Sequence, residues 1–373
     1  MRLIQNREAF SDITRSTNNQ EHVQSCKKNS SNSKHYIILN ANDLINRQNK
    51  IFNHSAAVVT HSTNLQYENI LGNIDSTEYE KEEKFMLDVT DVTEYTEDIF
   101  KYLYKLDKEI VAQFLNKKYT INEVINKETL FNWIIKIHMI FGFLEETLYL
   151  TLYIIEKYQF LAQQSSSHSE ELQLLAITSL FIAAKYEEIV LPRTVYYSLQ
   201  TDGNYSINDI INFERIILRT INYDLSFANP LNFLRRLTLI DNFDLPRRTI
   251  AKYLLEITSI DSKTFIHFPR AQCAAASLFL SRRMFGKHEW DSKFVDYSGG
   301  YKKKDIVFIC KLIIKFLLSP IVHSNLQHKY ESTRYLKASI ICKEWVLAIL
   351  KQQRKRRSKK NKKYSKLNED INY

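Results

Sequence analysis

The chain has 373 residues, 44% of them apolar, a length that suits two packed domains with tails better than one minimal domain. Six Gly and five Pro are too few for the turns of an all-β fold or the phosphate-cradling loops of nucleotide-binding α/β enzymes, so an all-α fold is expected. The net charge of +10 would fit nucleic acid, an anionic surface or a localisation signal, but ten basic side chains fall between 351 and 373 against only Glu369 and Asp370. Residues 1–350 then hold 42 basic and 40 acidic side chains, a near-neutral body with no excess charge for binding phosphates, and no specific nucleic-acid partner is expected.

Residues 1–60 contain ten Asn, seven Ser and three Thr without periodicity, and a disordered tail over 1–85 is expected there. Helical spacing starts near residue 92 with Val92, Tyr95, Ile99, Tyr102, Leu103 and Leu106. Five helical segments follow, at 127–141, 145–161, 169–187, 192–200 and 206–222. Glu145 and Glu146 place negative charge at a helix start, Pro192 suits a first turn, and Ser206 with Asp209 forms a capping-box pattern. The segment LQLLAITSLFIAAKY is apolar nearly all round, with small side chains at Ala176, Ala183 and Ala184, as expected for the buried centre of a bundle. After Asn229 and Pro230 the pattern repeats at 231–240, 247–259, 270–285, a short piece after Trp290, and 303–318, with AQCAAASLFLSRRM as the second apolar centre. Pro246, Pro269 and Pro320 fall at helix boundaries. An amphipathic stretch over 333–350 precedes the disordered basic tail.

Chemistry is sparse. The sequence has no H-E-x-x-H, no G-x-S-x-G, no Walker loop and no Cys/His cluster, so no catalysis, metal or cofactor is expected of it. Cys26, Cys273, Cys310 and Cys342 are isolated and too few for a disulfide framework, which fits a reducing compartment. No apolar run reaches the ~18 residues that span a bilayer, and the start MRLIQNREAFSD lacks a signal-peptide core, so an intracellular protein without a membrane partner is expected. Two charged residues stand where the pattern reads core: Lys185 closes the most apolar helix, and Glu214 lies among Phe213, Ile216, Ile217 and Leu218. On spacing alone, Lys185 can snorkel out at a helix end and Glu214 can face water.

At these residues LQLLAITSLFIAAKYEEI followed by YSINDIINFERIILRTINYDL closely resembles the signature of the cyclin box. TEYTEDIFKYLYKL resembles the helix before the first box, and TLFNWIIKIHMIFGFLEETLYLTLYIIEKY its first two helices. NPLNFLRRLTLID, CAAASLFLSRRM, the run with Trp290, Asp291, Tyr297, Ser298, Gly299 and Gly300, and LLSPIVHSNLQHKYESTRYLKASII are similar to fungal mitotic B-type cyclins. The resemblance implies an N-terminal helix and first cyclin box over 88–226, a second box over 227–350, and tails at 1–85 and 351–373.

It also implies a regulatory subunit, without catalytic activity of its own, that docks on the PSTAIRE-type helix of a cyclin-dependent kinase and drives G2/M progression. Lys185 and Glu214 would clamp that helix, inside an apolar surface of Ile182, Tyr186, Leu218, Tyr223 and Leu225 with Tyr95, Ile99 and Tyr102 from the preceding helix. A cyclin-fold transcription factor is the rival of another class; it would usually carry a zinc ribbon, and the sequence has no C-x-x-C. A diverged cyclin for a non-mitotic kinase is the nearer rival.

The sequence departs from the family in the groove that recruits substrates bearing R-x-L. The family Met and Glu positions are Asn126 and Lys136, while Leu130 and Trp133 are retained. Lys136 would repel an incoming Arg, so docking of R-x-L is expected to be weak. The Met-Arg and Asp positions of the family become Asn126, Lys127 and Asn132, and Lys127 is expected to pair with Glu156. REAFSDIT is similar to a destruction box, with Arg7 and Phe10 at its Arg and Leu positions, which implies a ubiquitin ligase as partner. Arg354, Lys355, Arg356, Arg357, Lys359 and Lys360 fit a nuclear import signal, read by import machinery in a chain that serves both nucleus and cytoplasm.

Overall fold

The computed structural model describes residues 93–116, 127–162, 172–319 and 324–371, and among these residues every element is helical. A 3-10 turn at Thr93–Tyr95 leads into α1 (Thr96–Asn116). The first bundle is α2 (Lys127–Phe141), α3 (Glu145–Ala162), α4 (Leu172–Glu187), α5 (Thr194–Gln200) and α6 (Ile207–Thr220). The second is α7 (Pro230–Ile240), α8 (Leu245–Ile260), the single turn α9 (Ser262–Phe265), α10 (Arg270–Met284), α11 (Ser292–Tyr297) and α12 (Lys303–Leu317). The chain closes with α13 (Ser324–Glu331), a 3-10 turn at Thr333–Tyr335, and α14 (Ala338–Ile371).

The boundaries follow from local chemistry. Ser206 accepts from the Asp209 N–H while the Asp209 carboxylate accepts from the Ser206 N–H, which completes the expected capping box of α6. Asn229 caps α7 with Pro230 in its first turn, and Asp244 caps α8 by accepting from the Arg247 N–H. Most boundaries fall within two residues of expectation, and two departures have a local cause. α5 starts at Thr194 instead of 192, because Pro192 precedes the cap at Arg193. The stretch 333–350 is not one helix: a left-handed turn at Leu336 and Lys337 ends the 3-10 turn, α14 begins after it, and its helical backbone runs on through Ile371 with no Gly or Pro to stop it.

The two expected apolar centres are the centres observed. In α4, Ala176, Ala183 and Ala184 are wholly buried and let α3 and α6 approach closely; in α10, Ala274, Ala275 and Ala276 do the same for α7 and α8. α1 belongs to both bundles. Its Phe114 meets Phe160 of α3 edge-on at 4.9 Å, and its Tyr104 stacks on Phe233 of α7 at 5.0 Å. The buried Asp107 carboxylate accepts from the N–H groups of Arg270 (3.0 Å) and Ala271 (2.9 Å), two free donors at the start of α10.

Further polar contacts join the bundles. Glu145 and Glu146 at the start of α3 pair with Lys252 of α8 (3.0 Å) and Arg235 of α7, and Glu156 pairs with Arg270 at 3.5 Å. Glu156 thus meets a cation from the second bundle, whereas the side chain of Lys127, its expected partner, lies outside what is described. Asn132 accepts from the Asn325 N–H at 2.9 Å, and its own carbonyl accepts from Asn325 Nδ2 at 2.9 Å, fastening α2 to α13. Among the described residues no helix is long and apolar enough to cross a membrane, and no group of His, Cys, Asp and Glu side chains could hold a metal.

Candidate functional site

Lys185 and Glu214 are 29 positions apart in sequence, yet the packing of α4 on α6 brings them into an ion pair. Lys185 occupies the last turn of α4, where the unpaired carbonyls favour a cation, and its ammonium lies 4.4 Å from the centre of the Phe181 ring. Its side chain is 40% exposed and that of Glu214 only 13%. Glu214 therefore does not face open water, and the pair shows one edge to solvent.

Exposed apolar side chains flank the pair in sequence. Tyr186, next to Lys185, is 62% exposed, and Tyr223, just beyond α6, is 64% exposed. Tyr223 is placed by a left-handed pair, Asn222 and Tyr223, that reverses the chain after α6, with the Tyr223 N–H returning to the Leu218 carbonyl at 2.8 Å. Leu218 and Leu225 are half-buried against the core and form the floor of this surface. Ile182 is a correction: at 3% exposure it is part of the core, because α4 is apolar all round and helical spacing could not say which of its faces remained open.

Tyr95 in the 3-10 turn and Ile99 and Tyr102 on α1 are exposed, while Tyr104 and Asp107 anchor that helix. Three residues that sequence reasoning passed over belong to the same kind of surface. Directly after α4, Ile189, Val190 and Leu191 are exposed, Ile189 at 99%. The sequence does carry a mark of them, an apolar triplet between a charged helix end and Pro192 that fits no helical period. Tyr196, Leu199 and Ile216 extend the open apolar area on α5 and α6. A surface that combines large aromatics, aliphatics and one partly shielded ion pair has the make-up of an interface core.

Two carboxylates shape its border. Glu188, the first residue beyond α4, accepts from the Leu144 N–H at 2.7 Å and from Thr147 Oγ1 at 2.5 Å. Burial, and then the neighbouring Glu146 and Glu188 carboxylates, push Glu187 above the usual carboxylate range.

The expected substrate groove is altered further by the structure. Leu130 is buried in the core and offers no surface, because the apolar pattern of α2 points it inward. Trp133 and Lys136 are half-buried. Asn126 lies outside the described residues, as do Arg7 and Phe10. Lys351, Arg354 and Lys355 are exposed on α14, and the Arg356, Arg357, Lys359 and Lys360 side chains lie outside what is described.

Residues 98–226 match the family model "Cyclin, N-terminal domain", and residues 228–344 match "Cyclin, C-terminal domain". The chain is 42% identical over 283 residues to G2/mitotic-specific cyclin-2 of Saccharomyces cerevisiae, across 74% of this chain and 56% of that protein. It is 37% identical over 257 residues to G2/mitotic-specific cyclin cdc13 of Schizosaccharomyces pombe, across 68% of this chain and 52% of that protein. The chain spans about half the length of the curated relatives it matches. Among solved structures, one chain of the CAK complex from Chaetomium thermophilum bound to ATP-γ-S aligns with a TM-score of 0.43 at 13% identity, over 75% of this chain and 95% of that one. The boundary between the two matched domains falls between α6 and α7, where the helical pattern starts its second round, and on these grounds the chain belongs to the cyclin family.

Proposed function

We propose that this chain is a G2/mitotic B-type cyclin that binds and activates a cyclin-dependent serine/threonine kinase and contributes no catalytic group of its own. The observation that carries the reading is the Lys185–Glu214 pair, held at the edge of an exposed apolar surface built from Tyr186, Tyr223 and Ile189. A kinase helix laid on that surface would bury the apolar side chains and present one of its ends, with its unpaired backbone groups, to the Lys185–Glu214 pair. Removing the pair from water is costly unless such partners satisfy it, which gives selectivity for a helix end over a plain apolar segment. Docking would hold the kinase helix inward, so that its Glu pairs with the ATP-contacting Lys.

The test is the double variant Lys185→Ala with Glu214→Ala. It is expected to lose co-purification with the kinase and kinase activation while its helical circular dichroism stays unchanged. Undiminished kinase activity in that variant refutes the reading.

The basic run that begins at Arg354 is proposed as a nuclear import signal. It is carried on the extension of α14, and Arg354 and Lys355 are exposed. Removal of residues 351–373 is expected to shift a fluorescently tagged chain out of the nucleus, and an unchanged distribution rejects the assignment.

A further inference from the structure

Glu188 takes no part in the Lys185–Glu214 pair, yet it stands where three features meet. It follows α4 directly, one turn beyond Lys185, and its N–H still bonds the Ala184 carbonyl at 2.9 Å. One carboxylate oxygen receives both the Leu144 N–H and the Thr147 hydroxyl, so the end of α4 is fastened to the start of α3. The start of α3 is in turn fixed to the second box through Glu145 with Lys252 and Glu146 with Arg235. Immediately after Glu188 come Ile189, Val190 and Leu191, with no buried side chain among them to hold the segment in place.

We propose that Glu188 is a positioning residue for the docking surface: it pins the end of α4 to α3, and so sets where Lys185 and the Ile189–Leu191 segment stand before a partner arrives. This rests on the docking reading given above. An exposed apolar triplet in a loop would lose conformational freedom on binding; a carboxylate that accepts two hydrogen bonds at its root removes part of that loss in advance. The charge of Glu188 is not required for this. The bonds go to one neutral N–H and one hydroxyl, and a Gln carbonyl oxygen can accept both.

Binding of the purified full chain to the kinase subunit, measured by surface plasmon resonance, distinguishes the outcomes. Glu188→Ala is expected to weaken the complex at least tenfold, and Glu188→Gln to restore it to within about threefold of wild type. In a cycle with Lys185→Ala the two losses are expected to be strongly non-additive, since Glu188 acts through the placement of Lys185. Thr147→Val, which removes one of the two donors without touching the carboxylate, is expected to give a smaller loss in the same direction. It serves in place of Glu188→Ala if that variant does not fold. Wild-type affinity in Glu188→Ala, or in Thr147→Val where it stands in, overturns the proposal. So does a Gln variant as weak as the Ala variant, or strict additivity with Lys185→Ala. If Lys185→Ala itself binds as wild type, the docking reading has failed instead.

Discussion

His138 ends α2 in a buried position, where its Nε2–H donates to the Leu144 carbonyl at 2.7 Å. Burial, and then the positive charge of Lys329, hold its pKa down to about 4, against about 6.5 for an unperturbed histidine. Between those values the unfolded chain takes up a proton that the native chain refuses. Stability is therefore full above about pH 6.5 and falls as the pH drops toward 4, by about 2 kcal/mol between pH 7 and pH 5 from this residue alone. Urea unfolding at the two pH values should show a larger loss for wild type than for His138→Gln, which cannot titrate but can still donate to Leu144. Equal losses would remove His138 as the cause. At the same scale, Lys185 and Glu214 were legible through the family signature and not through their spacing, since contacts between two helices leave no period in either one. The burial of Ile182 was not legible, because a helix that is apolar all round gives no clue to which face a neighbour will cover.

Among the elements, α1 depends on a close approach. Tyr104 donates its hydroxyl to the Tyr297 carbonyl at 2.6 Å, and its ring lies over Gly299, where an added Cβ would stand 2.8 Å from Cε1. Gly299 also has φ +85, a left-handed conformation that side chains resist. Gly299→Ala is thus expected to displace Tyr104 and loosen α1, at a cost of about 1–3 kcal/mol. Limited proteolysis should then cut within α1 sooner than in wild type, and an unchanged pattern and melting temperature would show that the ring can give way. Helix existence and most boundaries could be read in advance, because caps such as Ser206 with Asp209 and breakers such as Pro230 act within a few residues. α13 and its turn escaped because the left-handed pair Leu336 and Lys337 carries no Gly or Asn to announce it.

At the scale of the whole molecule, the C-terminal segment is locked to the second box by a buried ion pair. Lys329 of α13 gives two bonds to Glu256 of α8, at 2.9 and 2.8 Å, and Tyr330 adds a third at 2.7 Å. Burial alone would lower the Lys329 pKa, but Glu256 and Glu145 outweigh it and hold it above the ordinary lysine value. Removing one partner leaves a buried charge, so Lys329→Met is expected to destabilise by about 3–5 kcal/mol, while Lys329→Met with Glu256→Leu should recover most of that. Chemical denaturation of the three proteins decides it; a double variant no better than the single one would contradict the account. None of the pairs that hold the boxes together, Glu145 with Lys252, Glu146 with Arg235 and Glu156 with Arg270, could be foreseen, because their partners are some 90 or more positions apart in the chain.

α14 starts in the core, with Trp345 wholly buried, and continues as helical backbone to Ile371. At ~1.5 Å per residue the part beyond Lys351 reaches about 30 Å outward, several times the ~8 Å over which salt lets charges sense one another. The five lysines from Lys359 to Lys366 therefore stand ~12–22 Å along the helix from Lys351, beyond the range at which they act on charges there. On the import-signal reading proposed above, a partner held by those lysines and a partner seated on the first box would each come and go without changing the field the other experiences.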